Sequence, residues 1–296
     1  MCQSPMEKFL AYFGHLNIDT VLNVEKVAEK GSNRLMSVDT KYGGTAGNFA
    51  MAAIRLGLPF TIFSRVSART HRDYLTFLNE KGIDTSSVEE SENEDGPSCY
   101  IVSSGQSQTA YMQQGPMETW STRVGMERLN EYRYVHFSTG PPSLYISLLD
   151  AIKDPQVAFD PSQELFYRYS NSQIMAFLRK ADLLFFNEDE FEMITSSQDK
   201  IGRIPDSAKV IVTHGSDGTQ LIANGRKSWF RTRKVDSPIN TVGAGDVFRA
   251  GFYLGVYLNM SIGDSIRLGN SAAWIYLDGN GFSGLSRSAL LDLIEK

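Results

Sequence analysis

The residues best suited to chemistry lie in one short loop, Asn240-Thr241-Val242-Gly243-Ala244-Gly245-Asp246, which precedes an apolar helical segment. Gly243, Ala244 and Gly245 leave backbone N–H groups open, and the following helix directs its positive dipole end to the same place, so the pattern predicts an anion site. A carboxylate beside a bound anion is repulsive unless it takes part in the reaction, for example by accepting a proton from an attacking hydroxyl. Asp246 is therefore a candidate base. The alternative is a glycine-rich turn in which Asp246 only caps the helix.

Four other segments have residue types that suit a ligand site, although each is a weak signal alone. They are Gly14–Asp19 after the first strand, Tyr42–Asn48 before a helix that runs to Leu56, Asn187–Glu190 at a strand end, and Thr213–Gly218. A glycine-rich loop that merely leads into a helix is the alternative for Tyr42–Asn48. Taken together and in this order, the five segments resemble the ribokinase (PfkB) family of sugar and nucleoside kinases over nearly the whole chain.

The resemblance is strongest to the archaeal nucleoside kinases of that family. It is carried by Gly14–Lys26, Phe159–Gln163, Asn187–Glu192 and the apolar helix that begins with Asp246. Many sugar kinases instead have Asn and a basic residue where this chain has Ser162-Gln163-Glu164.

The resemblance implies a kinase that uses ATP as co-substrate and phosphorylates a primary hydroxyl. Asp246 would act as the base, and an ordinary aspartate pKa of about 3.9 would leave it ionised at pH 7. The backbone of Gly243–Gly245 would hold the γ-phosphoryl group. A nucleoside, phosphorylated at its 5′-hydroxyl, is the first expectation for the acceptor, and a free sugar or sugar derivative is the alternative. A non-catalytic ligand sensor is a further class, against which the intact Asp246 argues.

The resemblance also implies which residues bind the acceptor. Asp19 would accept hydrogen bonds from two sugar hydroxyls, Gly43 and Gly44 would let the backbone approach the ring, and Asn48 would cap its helix and contact a hydroxyl. A simple helix cap is the alternative for Asn48, and strand packing is the alternative for Tyr111 and Gln113. The complete set of substrate candidates is Asn17, Asp19, Gly43, Gly44, Asn48, Tyr111, Gln113, Asp160 and Gln163.

The nucleotide side follows from the same resemblance. The ATP-binding candidates are Asn187, Thr213, Gly215, Gly218, Asn270 and Ala273, the last two beside adenine. Asn187 and Glu190 would position Mg²⁺, through waters because Mg²⁺ dehydrates reluctantly. An ordinary acid in the first turn of a helix is the alternative for Glu190. Family members usually have Asp where this chain has Asn240, which leaves activation by a monovalent cation open.

Apolar β-rich runs alternate with helical segments, a pattern typical of a parallel sheet with helices on both faces. We therefore expect one three-layer α/β/α ribokinase-like domain over residues 1–296, with a mostly parallel sheet. The segments 19–42 and 97–115 do not fit this pattern and are expected to form a small β-sheet lid. Its exposed edges make a homodimer plausible. The predicted strands are Phe60–Val66, Tyr134–Ser138, Val157–Asp160, Leu183–Asn187 and Lys209–Thr213, and Ser87–Gly96 is predicted to be an acidic loop.

Composition limits the remaining classes of protein. The chain has 296 residues, is 42% hydrophobic and has a net charge of −5, so a nucleic-acid-binding protein with a basic face is not expected. Two cysteines, Cys2 and Cys99, cannot form a disulfide framework and fit a reducing cytoplasm. The longest apolar stretch, near Ala250–Leu258, is too short to span a bilayer. A glycine pattern at Gly279–Gly284 does not follow a strand, so it does not predict a dinucleotide site.

Overall fold

A computed structural model describes residues 8–28, 30–104, 108–121, 126–236 and 241–294. Its strands are β1 (Lys8–Phe13), β2 (Asn17–Val24), β3 (Leu35–Gly43), β4 (Thr61–Ser67), β5 (Val88–Ser91), β6 (Ser98–Ser103), β7 (Gln108–Gln113), β8 (Tyr132–Phe137), β9 (Gln156–Phe159), β10 (Leu183–Asn187), β11 (Lys209–Thr213), β12 (Thr219–Ala223) and β13 (Arg226–Phe230). Its α-helices are α1 (Thr45–Arg55), α2 (Arg72–Glu80), α3 (Pro142–Ala151), α4 (Asn171–Lys180), α5 (Glu188–Ser196), α6 (Gln198–Ile201), α7 (Ala244–Tyr257), α8 (Ile262–Ile275) and α9 (Arg287–Ile294).

The large sheet has the strand order β13-β12-β11-β10-β9-β8-β1-β4-β5, and its strands are parallel from β5 through β11. Side chains alternate along β1, so that Leu10 and Tyr12 enter one core while Ala11 and Phe13 enter the other. One core includes residues of α1, α7 and α8, and the other includes residues of α3 and α4. The expected three-layer α/β/α class with a mostly parallel sheet is confirmed.

The chain order reverses in the middle of this sheet. From β1 the sheet continues to β4 and β5 in one direction and to β8, β9, β10 and β11 in the other. Loops that leave the carboxyl ends of β1 and β8 therefore diverge, and in open α/β sheets ligands bind in the crevice formed at such a point. The fold therefore predicts that the site lies at the carboxyl ends of the central strands β1 and β8.

A separate sheet of four strands, in the order β3-β2-β6-β7, is built from two excursions of the chain. The strands β2 and β3 correspond approximately to the predicted segment 19–42, and β6 and β7 correspond to the predicted segment 97–115. The strands β6 and β7 form an antiparallel hairpin. The small sheet is confirmed. Its action as a lid and the single-domain boundary remain predictions.

Two parts of the large sheet differ from the sequence expectation. The predicted acidic loop Ser87–Gly96 contains strand β5, which pairs with β4 at the sheet edge, where charged side chains are compatible with a strand. At the other edge β12 and β13 are antiparallel, joined by Asn224 and Gly225, both with positive φ as a tight hairpin turn requires. Within the described residues, no helix is long and apolar enough to span a membrane.

Candidate active site

Residues 241–245, at the N-terminus of α7, form the turn that the sequence predicts to bind an anion, here called the anion-binding turn. Gly243 is the N-cap of α7 and has a φ of +85°, a left-handed conformation that favours glycine. Asp246 lies inside the first turn of α7, so the alternative in which it caps the helix is excluded. The N-terminus of α1 packs against the same end of α7, because the Asn48 Nδ2 donates a hydrogen bond of 3.0 Å to the Asp246 Oδ2.

The structure corrects the expected role of Asn48 as a helix cap. The N-cap of α1 is Gly44, again with a φ of +85°, and Asn48 lies one turn further along the helix. A side chain at position 243 would meet the Asn48 amide, since a Cβ there would lie 3.0 Å from its Cγ. Asn48 is thus held between the anion-binding turn and the candidate base.

The protonation of Asp246 also differs from the sequence expectation. Its side chain is only 7% exposed, and burial raises its pKa to about 7. The charge of Arg249 and the hydrogen bond from Asn48 oppose that increase in the pKa. A carboxyl group poised near neutral pH is partly protonated there, and it is also well matched to accept a proton.

The substrate candidates on the small sheet converge on this point. Burial raises the pKa of Asp19 to about 6, while Lys41 opposes the increase. A methyl group on Gly43 would overlap the Asp19 carboxylate. The buried Oδ1 atoms of Asn17 and Asp19 have no hydrogen-bond partner within the part of the chain that the structure describes. Two unpaired acceptors at one site are what a ligand rich in hydroxyl groups would satisfy.

Tyr111 and Gln113 do not lie with these groups. Asp19 pairs laterally with Cys99, and Cys99 pairs with Met112, so these three side chains share one face of the small sheet. Tyr111 and Gln113 flank Met112 and point to the opposite face, where the Tyr111 side chain is 61% exposed. On this face they are separated from Asp19 by the sheet, and Met112 lies on the Asp19 face instead; their contact with the substrate remains a prediction.

Asp160 follows β9 as expected but is fully buried. It forms an ion pair with Arg249, and the His136 Nε2 lies 3.2 Å from its Oδ2. Burial alone would raise the pKa of Asp160, but the charge of Arg249 and the His136 hydrogen bond hold it below its ordinary value. Asp160 is thus a buried partner of Arg249, and its predicted contact with the substrate remains a prediction. Gln163 is exposed and accepts a hydrogen bond from the Ser162 hydroxyl.

A cleft of about 440 Å³ extends from the anion-binding turn across the carboxyl ends of β10 and β11. All six ATP-binding candidates line it together with Glu190, Ala244 and Gly245: Asn187, Thr213, Gly215, Gly218, Asn270 and Ala273. Asn270 is fixed in the cleft wall, because it accepts a hydrogen bond from Thr219 and donates one to the Phe230 carbonyl. The volume suits a nucleotide-sized ligand.

Asn187 and Glu190, the predicted Mg²⁺ residues, cap the helix α5. They form a capping box at the start of α5, in which the Glu190 carboxylate accepts hydrogen bonds from the Asn187 N–H and Nδ2. Burial nevertheless raises the Glu190 pKa to about 7. No group of three or more metal-ligating side chains occurs in the described ranges. A single carboxylate with free lone pairs at a phosphate cleft does fit a Mg²⁺ ion that retains its waters. Asn240, on which the question of a monovalent cation depends, lies outside the described residues.

The structure adds functional candidates that the sequence pattern did not reveal. Arg249 is one helical turn beyond Gly245 and lines the cleft, and its partner Asp160 is distant in sequence. Glu164, fully buried, accepts hydrogen bonds from the Gly140 N–H and from Gln114, which follows the last strand of the small sheet. No short sequence pattern predicts either pairing. A charged residue within the otherwise apolar helix α7 was the one feature of the sequence that could have indicated Arg249.

A crevice at the strand reversal, a glycine-rich turn at a helix N-terminus, a buried carboxylate and a nucleotide-sized cleft suit a phosphotransferase that acts on an alcohol group. Residues 7–283 match the pfkB family of carbohydrate kinases, and the chain belongs to this family. It is 39% identical over 271 residues to a nucleoside kinase from Thermoplasma acidophilum, covering 92% of this chain and 90% of that protein. A crystal structure from Thermoplasma acidophilum has 37% identity and a TM-score of 0.86, covering 97% of both chains. A ribokinase from Thermotoga maritima shares the fold, with a TM-score of 0.82, 19% identity and coverage of 97% of this chain and 99% of that one.

Proposed function

We propose that the protein is an ATP-dependent nucleoside kinase that phosphorylates the 5′-hydroxyl of its acceptor. The observation that carries this proposal is the pair of buried, unpartnered oxygens on Asn17 and Asp19, within the electrostatic field of Asp246. A buried acceptor without a partner destabilises a protein by roughly 1–3 kcal/mol. Hydroxyl groups of a sugar ring would supply the missing donors and would hold the ring beside Asp246.

The reaction assigned to this site is an in-line phosphoryl transfer. The 5′-oxygen bonds to the γ-phosphorus while the bond from that phosphorus to the bridging β,γ-oxygen breaks, and ADP leaves with the electron pair. Asp246 accepts the proton of the 5′-hydroxyl, and its pKa of about 7 suits that transfer at neutral pH. The backbone N–H groups of Gly243–Gly245 would stabilise the charge on the transferred group.

The remainder of the nucleotide would lie in the 440 Å³ cleft, with adenine toward Asn270 and Ala273. Glu190 and Asn187 would hold the water shell of Mg²⁺, which supplies charge neutralisation on the β- and γ-phosphates. Because Glu190 is already oriented by its capping box, such a shell would meet a fixed carboxylate.

A nucleoside is favoured over a free sugar by the apolar side chains that lie near Asp19. Cys99, Ile101 and Met112 lie on the Asp19 face of the small sheet, and the exposed aromatic rings of Phe166 and Tyr167 lie in the turn after Asp160. Gln114, which directly follows β7, donates a hydrogen bond of 3.4 Å to the Tyr167 hydroxyl, so this turn and the sheet are neighbours. Such an apolar wall suits a nucleobase, as does the likeness to the Thermoplasma acidophilum nucleoside kinase. Asp19 alone would serve a free sugar equally well, so a sugar kinase remains the second candidate.

The small sheet would act as the lid of this site and would exclude water during transfer. Its outer face exposes Val38, Tyr100 and Tyr111, which suits burial against a second copy of the chain in a homodimer. A cytoplasmic location and the absence of a nucleic-acid partner remain predictions.

The test is ADP release by purified protein with MgATP and a panel of nucleosides, pentoses and hexoses. We expect turnover with nucleosides, and phosphorus NMR of the product should show the phosphoryl group on the 5′-oxygen. Turnover with sugars alone would contradict the nucleoside assignment and retain the kinase. The Asp246→Asn variant should lower turnover by at least ~10²-fold, whereas Asp73→Asn, an exposed acid in the first turn of α2, is the matched control.

A further inference from the structure

Arg249 extends from α7 one turn after Gly245, and its side chain is 11% exposed at the wall of the nucleotide cleft. We propose that Arg249 is a further catalytic residue, whose Nη1 donates hydrogen bonds to the γ-phosphoryl group of the bound nucleotide. The proposal rests on the kinase function given above but does not depend on which alcohol accepts the phosphoryl group.

The guanidinium is held by one edge. Its Nε and Nη2 face the two carboxylate oxygens of Asp160, the side-on arrangement that occupies half of the arginine fork. Asp160 is fixed in turn, because the His136 Nε2 lies 3.2 Å from its Oδ2 and the His136 Nδ1 lies 2.9 Å from the Tyr253 hydroxyl. All three of these partners are buried. The orientation of Arg249 is thus set from inside the protein.

The other edge of the guanidinium remains available. The Nη1 atom has no hydrogen-bond partner among the residues described by the structure. It lies over the anion-binding turn, since a Cβ on residue 245 would be 2.5 Å from it. Gly245 does not have a positive φ, so its backbone does not require glycine. The glycine instead leaves room for Nη1, which a methyl group at this position would displace.

Local charge gives this nitrogen a function. Four carboxylates of the site interact electrostatically with one another or with Arg249: Asp246, Asp160, Glu190 and Asp19. A triphosphate brought next to several carboxylates is repelled unless a cation faces it. Arg249 is placed between these carboxylates, and a prepositioned donor stabilises charge on a transferring phosphoryl group without reorganising at the moment of reaction.

The inference is tested by comparing the affinities for ATP and ADP in the absence of an acceptor, by calorimetry on wild type and Arg249→Met. A contact to the γ-phosphoryl group predicts that the variant binds ATP at least ~10-fold more weakly, while its affinity for ADP changes less than about threefold. Its kcat should fall by ~10²–10³-fold. Arg249→Lys should not restore kcat, because an ammonium cannot bind Asp160 side-on and reach the cleft together.

Arg233 supplies the matched control, since it lines the same cleft but stacks over Trp274. Arg233→Met should leave the ratio of the ATP and ADP affinities unchanged. Equal effects of Arg249→Met on ATP and ADP, or no effect on either, would overturn the inference. If that variant does not fold, Gly245→Ala provides the same test, because its methyl group would displace Nη1. A selective loss of ATP affinity in a protein that phosphorylates only sugars would uphold Arg249 and reject the nucleoside assignment.

Discussion

Replacing Asp246 by asparagine should stabilise the protein while removing its activity, and the size of the stabilisation should depend on pH. Burial raises the Asp246 pKa from 3.8 to about 7, so the folded protein retains a proton that the unfolded chain releases between those two values. In that interval the unfolded state binds fewer protons, and the free energy of unfolding of the wild type decreases as pH rises. The asparagine variant lacks this titration and does not lose that stability.

The magnitude follows from linkage. Each pH unit well between the two pKa values corresponds to about 1.4 kcal/mol. Because Asp246 is already half ionised in the folded protein at pH 7, the variant should gain about 2.3 kcal/mol relative to wild type from pH 5 to pH 7. Above pH 7 the difference should level off, because Asp246 is then ionised in both states. Relaxation around the buried charge makes this value an upper estimate.

Urea unfolding of both proteins at half-unit steps from pH 5 to pH 8 measures the difference directly. Asp73→Asn, which removes an exposed carboxylate from the first turn of α2, should show a difference from wild type that does not vary over this range. Parallel pH profiles for wild type and Asp246→Asn would refute the argument, because Asp246 would then titrate alike in the folded and unfolded states.

Three further outcomes are expected. Asn48→Ala removes the hydrogen bond that favours the ionised base, so the acidic limb of the pH–kcat profile should move up by about one pH unit. Met112→Ala should raise the KM for the acceptor several-fold, whereas Tyr111→Ala, on the other face of the small sheet, should leave it unchanged in initial-rate assays at saturating ATP. Glu164→Gln should reduce the free energy of unfolding by about 3 kcal/mol, because Glu164 is buried and pairs with Arg168. Glu118 pairs with the same arginine but is exposed, so Glu118→Gln should reduce the free energy of unfolding by less than about 1 kcal/mol; urea titrations measure both.

Local sequence patterns predict most of the large sheet. The strands at Leu183–Asn187 and Lys209–Thr213 agree residue for residue with the structure, because short apolar runs between helical segments are typical of buried parallel strands. The acidic residues of Val88–Ser91 conceal an edge strand, since one side of such a strand faces water. The antiparallel direction of β12 and β13 depends on a two-residue turn and not on hydrophobic pattern.

The site is less accessible to sequence reasoning because its geometry depends on long-range packing. Family motifs locate the six predicted ATP-binding residues, and the structure brings all of them together around one cleft. The face occupied by Tyr111 depends on the register between β6 and β7, where a shift of one residue reverses every side chain. The pKa of Asp246 depends on burial, and the Arg249–Asp160 pair joins residues 89 positions apart. Neither can be inferred from local spacing.

The central position of β1 has a consequence for synthesis of the chain. Among the described strands β1 is synthesised first, yet its second edge is covered only when β8 follows. All four strands of the small sheet precede β8. Because chains begin to fold from the N-terminus as they emerge, a nascent protein that ends before Ala244 can already contain Asp19, Gly43 and Asn48. It still lacks both the anion-binding turn and Asp246. An unfinished chain would therefore contain the proposed acceptor residues before it contains the proposed phosphate site and base.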